Sequence, residues 1–300
     1  MKDLRRLQRL LPYLARDRRR LFLAISLLLP VAAASAVQPL LVGQAISVLR
    51  GEQAWWWLQA MPMASALRWL IGLLLVAVLV RLALQGSQSL LVQTIGQRLT
   101  SQLRVDLFSH TLNLSLRFHD RTPVGKLITR LTNDVDALAE VFGSGAIGVI
   151  ADVVTFIVIA SLMLSINRPL GLMLLFLQIP ITWLVISLQQ RYRKANYRVR
   201  EELGQLNSDL QENLQGLEVV QMFRRETLNS ERFAITNAKY RKAVDGTIFY
   251  DSAISALLEW ISLAAVALVL AVGGHLVTSG SVGLGVLTTF ILFSQRLFDP

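Results

Sequence analysis

Residues 85–118 read QGSQSLLVQTIGQRLTSQLRVDLFSHTLNLSLRF and directly follow an apolar run that begins near residue 66. Apolar residues keep a helical spacing through this stretch, with polar residues between them. No proline occurs between Pro62 and Pro123, and one helix from about Ala66 to Phe118 would be roughly 80 Å long at 1.5 Å per residue. Because the apolar core of a bilayer is about 30 Å thick, more than half of this predicted helix would lie outside a membrane.

The composition of the whole chain also indicates a membrane protein. Of the 300 residues, 53% are hydrophobic, and the mean hydropathy of +0.50 is too high for an ordinary soluble domain. A helix needs about 20 apolar residues to cross a bilayer. Six apolar runs meet or approach that length, near residues 21–49, 66–84, 141–166, 169–188, 253–273 and, less completely, 284–298. The predicted fold class is therefore all-α, a polytopic membrane protein with six long transmembrane helices.

The basic residues are concentrated in three segments of the chain. Residues 1–20 hold 8 lysines and arginines, residues 98–140 hold 6 and residues 191–251 hold 11, whereas the intervening connections hold only Arg50, Arg68 and Arg168. Because cytoplasmic loops carry the excess of Lys and Arg, we expect the N-terminus and the end of the sixth span to be cytoplasmic. The two larger segments also hold 14 acidic residues, so nucleic-acid binding does not explain the net charge of +10.

The first large polar segment is predicted to form a hairpin with a short transverse helix at its tip. Thr122 is expected to be the N-cap of this helix and Pro123 its first residue, followed by GKLITRL. Asn133 and Asp134 are expected to cap the next helix. Such a turn can simply close a hairpin.

The second polar segment repeats this pattern. Gln215-Gly216 precedes LEVVQMFRRE, and Thr227 or Asn229 is expected to restart a helix. Two tips that both project from the membrane favour contact with another molecule, because ordering a projecting chain costs conformational entropy.

These features together resemble the transmembrane domain of ATP-binding cassette (ABC) exporters of the multidrug and lipid type. FHDRTPVGKLITRLTNDVDAL is similar to the family's first coupling segment through Phe118, Asp120, Gly125, Arg130 and Asp134. Three other stretches resemble the second coupling segment, the amphipathic elbow helix before the first span, and the end of the fifth helix with the sixth, namely QGLEVVQMFRRETLNSERF, RLLPYLARDRRRL and GGHLVTSGSVGLGVLTTFILFSQRLFDP.

The resemblance implies a domain organisation. Residues 1–20 would be a cytoplasmic segment with the elbow helix, and residues 21–300 the ABC transmembrane domain with a truncated sixth helix. No G-x-x-x-x-G-K-[ST] motif occurs, so the nucleotide-binding domain is expected to be missing from this chain. ATP and Mg²⁺ would bind there, and we expect no catalytic residue, cofactor or metal site in this chain.

The resemblance further implies partners and coupling residues. The partners would be nucleotide-binding domains from the same gene or a separate subunit, a second identical or different transmembrane half, and the bilayer, which is expected to be a bacterial plasma membrane. The substrate would be amphipathic, lipid-like or drug-like. The residues expected to contact a nucleotide-binding domain are Pro123, Val124, Gly125, Lys126, Leu127, Ile128, Arg130, Leu131, Leu217, Glu218, Val220, Gln221, Phe223 and Arg224. Leu127, Ile128, Val220 and Phe223 are expected to be the apolar knobs that enter its groove.

Three ionisable residues fall within the predicted spans, namely Arg81, Asp152 and Glu259. Each lies about 21 Å from the expected outer surface, and intramembrane charges are costly unless they face a partner or water. We expect Arg81 and Asp152 to form an ion pair, because they lie on consecutive antiparallel spans. Glu259 would either face a substrate cavity, pair with Arg81, or remain protonated.

Two other classes of function are compatible with the sequence. A secondary transporter would explain the prolines that interrupt spans but gives the long hairpins no role. A membrane scaffold would use the hairpins to bind a soluble partner without transport.

Overall fold

The computed structural model describes residue 13, residues 17–140, residue 145 and residues 147–298. Most of these residues are helical and none of them lies in a β-strand, which confirms the all-α prediction. The elements in chain order are α1 (Arg18–Ser26), α2 (Leu28–Arg50), α3 (Trp56–Gln59), α4 (Met63–Leu112), α5 (Leu116–Arg121), α6 (Val124–Thr129), a π-helical turn (Arg130–Asp134), α7 (Val135–Glu140), α8 (Ile147–Ile166), α9 (Arg168–Gln215), α10 (Leu217–Met222), α11 (Glu226–Thr278) and α12 (Leu284–Phe298).

Five helical segments among the described residues are long and apolar enough to cross a bilayer. They are Arg18–Arg50, which comprises α1 and α2, and the helices α4, α8, α9 and α11. Helix α12 has 15 residues and is therefore about 22 Å long, shorter than the bilayer core of about 30 Å. Five predicted spans thus have matching helices, and the sixth span stays a prediction.

The first long helix ends earlier than the sequence predicted. Helix α4 has 50 residues, or about 75 Å, and ends at Leu112 rather than Phe118. Both the backbone N–H and the side-chain Nδ2 of Asn113 donate to the carbonyl of Ser109, at 3.3 and 2.9 Å. Ser115 is then extended, with ψ of 150°, and starts α5. The single-helix prediction is wrong over these last residues, because the Asn113 side chain competes for a helical carbonyl and favours termination.

Residues Met1–Gly171 and Val269–Pro300 form one compact unit. Within it, α2 packs against α4, α8 and α12. Helices α2 and α12 approach most closely where Gly43 faces Gly285, because a Cβ atom on Gly43 would lie 2.6 Å from the carbonyl oxygen of Gly285. A buried cluster of Leu41, Leu58 and Leu70 fixes α2 and α3 against α4.

Residues Leu172–Leu268 form a second compact unit. It contains most of α9, all of α10 and most of α11. Thr236 of α11 donates a 2.7 Å hydrogen bond to Asp209 of α9, and Gln205 donates to the other oxygen of the same carboxylate at 2.9 Å. Large apolar side chains such as Trp183 and Trp260 are more than two-thirds exposed, as expected where lipid is the solvent.

The N-terminal segment is described only in part. Most of the predicted elbow helix lies outside the described residues, which include Tyr13 and continue from Asp17. Helix α1 starts at Arg18 and crosses the predicted boundary between residues 20 and 21 without a break. Asp17 accepts a 3.3 Å hydrogen bond from Arg98 of α4, so the start of α1 is tied to the part of α4 that follows its apolar run.

Candidate functional site

The first candidate region, called here the first tip, comprises residues 116–134 and begins with α5. The ring nitrogen Nε2 of His119 lies 3.1 Å from the carbonyl oxygen of Thr111, near the end of α4. The rings of Phe118 and His119 meet edge to face with centroids 5.6 Å apart. The His119 contact bridges the three residues between α4 and α5 and holds the short helix against the end of the long one.

Helix α6 starts one residue away from the predicted position. Pro123 is the N-cap, with φ of −56° and ψ of 135°, and the side chains make no capping hydrogen bond. Thr122 is extended, with φ of −117° and ψ of 114°. The prediction that Thr122 is the N-cap is wrong, because Pro123 is itself non-helical and the first helical residue is Val124.

Helix α6 continues into α7 through the π-helical turn Arg130–Asp134. The predicted cap at Asn133 and Asp134 is therefore wrong, since both residues lie within continuous helical backbone. The hydroxyl of Thr129 donates to the carbonyl of Gly125, and that of Thr132 to the carbonyl of Ile128, each at 2.9 Å. Short π-helical turns widen the backbone ladder locally and are frequent at functional sites.

The second tip comprises residues 217–225, with α10 followed by a sharp reversal. Arg224 has a left-handed backbone, with φ of 49°. The N–H of Arg224 donates to the carbonyl of Gln221 at 3.1 Å, and that of Arg225 to the carbonyl of Val220 at 2.9 Å. These two bonds form a Schellman motif, which lets α11 begin at Glu226 rather than at the predicted Thr227 or Asn229.

Each tip exposes apolar side chains on one face of its short helix. On α6, Val124 is 70% exposed and Ile128, one turn later, is 55% exposed. On α10, Val219 and Met222 are 56% and 74% exposed, and the adjoining Phe223 is 67% exposed. Val124 and Ile128 are four residues apart, and Val219 precedes Met222 by three residues and Phe223 by four. Each set therefore lies on a single face. Such exposed faces are the surfaces that a short helix offers to a hydrophobic groove.

The predicted apolar knobs are therefore only partly those that the structure exposes. Ile128 and Phe223 are exposed, whereas Leu127 and Val220 are half-buried. Leu131 is half-buried as well. The other predicted coupling residues are exposed, namely Pro123, Val124, Gly125, Lys126, Arg130, Leu217, Glu218, Gln221 and Arg224.

The predicted ion pair between Arg81 and Asp152 is not formed among the described residues. Arg81 of α4 donates instead to the side-chain oxygen of Gln38 on α2, at 2.8 Å. Arg296 of α12 donates to the same oxygen at 3.2 Å. Two guanidinium groups thus share one neutral acceptor, and all three side chains are half-buried. The pairing was mispredicted because depth along the membrane normal does not determine which way a side chain points around its helix.

Asp152 and Glu259 are both exposed on their helices. Within the described part of the chain, neither makes a hydrogen bond or salt bridge to another residue. Across the same described ranges, no three side chains of His, Asp or Glu are grouped as a metal ion would require. The two carboxylates are therefore available to groups outside their own compact units.

Several residues of these sites were missed from the sequence. Val219 and Met222 follow the apolar helical spacing that ends at Phe223, and that spacing was sufficient to find them. Gln38 could have been noticed in the sequence, because it is a polar residue directly before Pro39 in a largely apolar run. No sequence signal indicated that Arg296 would reach the same oxygen, because this contact depends on how α2, α4 and α12 pack.

Comparison with known proteins gives a family match over most of the chain. A family model described as "ABC transporter transmembrane region" matches residues 21–300. The putative ABC transporter ATP-binding protein exp8 of Streptococcus pneumoniae is 27% identical over 98% of this chain and 49% of its own length. The ATP-dependent lipid A-core flippase of Desulfotalea psychrophila is 27% identical over 93% of this chain and 47% of its own length.

A further relative is named for a different activity. The probable multidrug resistance ABC transporter ATP-binding/permease protein YheH of Bacillus subtilis is 28% identical over 72% of this chain and 32% of its own length. The chain therefore spans half or less of these curated relatives.

Proposed function

Since the chain belongs to the ABC transporter transmembrane region family, we propose that it forms the membrane half of an ATP-driven exporter. It is an integral, multi-pass membrane protein. Its proposed substrate is an amphipathic molecule of the lipid-like or drug-like kind, because its relatives include proteins named as a lipid A-core flippase and as a probable multidrug resistance transporter. ATP and Mg²⁺ would bind in a nucleotide-binding domain from the same gene or a separate subunit.

The observation that carries this proposal is the exposed apolar face on each short helix. Val124 and Ile128 on the first tip, and Val219, Met222 and Phe223 on the second, would each enter a hydrophobic groove of a nucleotide-binding domain. The first tip follows α4, and the second tip lies between α9 and α11. These three helices have 48 to 53 residues and extend well beyond a bilayer core of about 30 Å. A displacement that reaches one of these long helices would be carried into the membrane by continuous helical backbone.

A second transmembrane half is also part of the proposal. Asp152 and Glu259 are exposed charges within membrane-crossing helices, and a carboxylate in contact with hydrocarbon is costly. A second half would enclose water-filled space, and a carboxylate that faced this space would favour the polar or cationic part of an amphipathic substrate. We place the protein in a bacterial plasma membrane with its N-terminus in the cytoplasm, following the distribution of basic residues.

Neither alternative drawn from the sequence is supported by the family assignment. A secondary transporter would not need exposed apolar tips. A scaffold would need the tips but not the charged residues within the spans.

The test is to replace Val124 and Ile128 together by Asp in the complete transporter. ATP hydrolysis would be measured with and without ethidium and a fluorescent phospholipid, beside transport of both probes into vesicles. We expect both substrate-stimulated hydrolysis and transport to fall at least tenfold, the equivalent of about 1.4 kcal/mol of lost docking energy. Nucleotide affinity should be retained, because neither side chain would touch nucleotide.

The matched control replaces Val105 and Phe108 by Asp. These α4 residues are 64% and 55% exposed, close to the values of Val124 and Ile128, but lie outside the tip. The control should transport normally. Normal transport by the tip variant would refute the coupling role of the first tip.

A further inference from the structure

The first tip is attached to α4 by a compact joint beyond the π-helical turn. Val135, at the start of α7, is 1% exposed and packs against Leu99 and Leu103 of α4. One residue later along each helix, Asp136 meets Arg104. The apolar and charged contacts are therefore adjacent on one face of α4.

Arg104 makes three hydrogen bonds in this joint. Its Nη2 donates to both carboxylate oxygens of Asp136, at 2.6 and 2.8 Å. Its Nε donates to the carbonyl oxygen of Leu131 within the π-helical turn, at 3.2 Å. One guanidinium thus holds a side chain of α7 and the backbone of the turn that leads from α6. Charge-assisted bonds of this kind are directional as well as strong.

The other connection between the tip and α4 is less suited to transmitting a displacement. It runs through residues 113–115, where the helix is interrupted between α4 and α5. The contact of His119 with Thr111 involves one hydrogen bond to a carbonyl. Thr122 and Pro123 then separate α5 from α6 with extended backbone. A force applied to α6 along this route would bend two non-helical joints before it reached α4.

We propose that Arg104 and Asp136 form the fixed joint through which displacement of the first tip is passed to α4. This inference rests on the proposed coupling role of the tip. Both residues are positioning residues, since they act on how α6 and α7 are held and not on nucleotide or substrate. Because Arg104 and Asp136 are 46% and 56% exposed, their loss should loosen the joint without unfolding the chain.

The experiment uses the complete transporter with two structure-based variants. Asp136→Asn removes the ion pair with almost no change in shape, and Arg104→Lys keeps the charge but loses the planar set of three bonds. The double exchange Arg104→Asp with Asp136→Arg is the rescue. Arg98→Lys is the matched control, because Arg98 is 48% exposed and also pairs with an aspartate, Asp17, away from the tip.

Two measurements separate local loosening from loss of transmission. Hydrogen exchange of backbone amides over residues 130–136 should be roughly two- to fivefold faster in both variants, corresponding to about 0.4–1 kcal/mol. Spin labels on cysteines introduced at Asp106 and Lys126 then report the distance between α4 and α6 within one chain, since the sequence has no native cysteine. Labelled chains would be diluted into unlabelled ones, with and without ATP and vanadate.

In the parent protein the distance distribution should be the same with and without nucleotide, because tip and helix move together. In Asp136→Asn and Arg104→Lys, ATP and vanadate should shift or broaden it, and the double exchange should restore the parental behaviour. The proposal would be overturned by unchanged amide exchange, by an unchanged distance distribution in both variants, or by a nucleotide-dependent change of that distribution in the parent protein. Uncoupling by the Val124 and Ile128 variant together with any of these results leaves the docking proposal standing, whereas normal coupling in that variant refutes the docking proposal itself.

Discussion

The closest approach between α2 and α12 gives a prediction whose magnitude follows from the structure. In Gly43→Ala, the new Cβ would lie 2.6 Å from the carbonyl oxygen of Gly285 and would overlap the side chain of Thr289. Ordinary carbon–oxygen contacts are about 3.3 Å or longer, so the helices must separate by roughly 0.7 Å. The Thr289 hydroxyl also donates a 2.9 Å hydrogen bond to the carbonyl of Gly285. The Thr289 side chain therefore loses this bond if it rotates away from the new Cβ. We expect a destabilisation of about 1–3 kcal/mol, typical of overpacking.

The assay for Gly43→Ala is reversible unfolding in mixed detergent micelles, followed by circular dichroism. The same substitution at Gly72 of α4 is the matched control, because a Cβ there meets nothing within 4 Å. Gly72→Ala should be neutral or should stabilise by up to about 1 kcal/mol, since alanine favours the helix. A Gly43→Ala protein as stable as the Gly72→Ala protein would refute the tight α2–α12 contact.

Two other predictions concern single contacts. Arg224→Gly should stabilise the second tip by about 0.5–1 kcal/mol and so slow its amide exchange. Glycine removes the strain of the left-handed backbone at Arg224, although it also loses more entropy on folding. Faster exchange than in the control Arg225→Gly would contradict this account of the turn. Gln38→Ala should destabilise the protein by about 1–3 kcal/mol in the same unfolding assay, because Arg81 and Arg296 lose their shared acceptor. Gln85→Ala, an exposed amide on α4, should have almost no effect, and equal stability of the two glutamine variants would show that the shared bond contributes little.

The fold was largely predictable because membrane helices follow from local rules. An apolar run of about 20 residues and an uninterrupted helical period are sufficient to predict α4, α9 and α11, whose lengths exceed any bilayer core. The errors occur where a side chain or a proline competes with the helical backbone. Asn113 ends α4 early, and Pro123 moves the start of α6 by one residue. Both effects depend on individual residues rather than on periodicity.

The candidate site was less predictable because it depends on which side chains of each short helix are exposed. The sequence located both tips but selected Leu127 and Val220 as knobs, although these side chains are half-buried. Which face of a six-residue helix remains exposed is decided by the turns at its ends, and the π-helical turn after Thr129 left no recognisable pattern in the sequence. The same limit explains why Arg81 was paired with Asp152 instead of Gln38.

The charged residues within the membrane helices fall into two groups, and the difference between these groups bears on the size of the functional unit. Arg81, Gln38 and Arg296 satisfy one another inside one compact unit. Asp152 and Glu259 remain exposed, with no hydrogen bond or ion pair to other described residues. Since hydrocarbon cannot solvate a carboxylate, the surfaces around Asp152 and Glu259 each need water, a partner or a polar ligand. The proposed second half supplies an enclosed aqueous path that would solvate such a carboxylate, which lipid around a single chain would not.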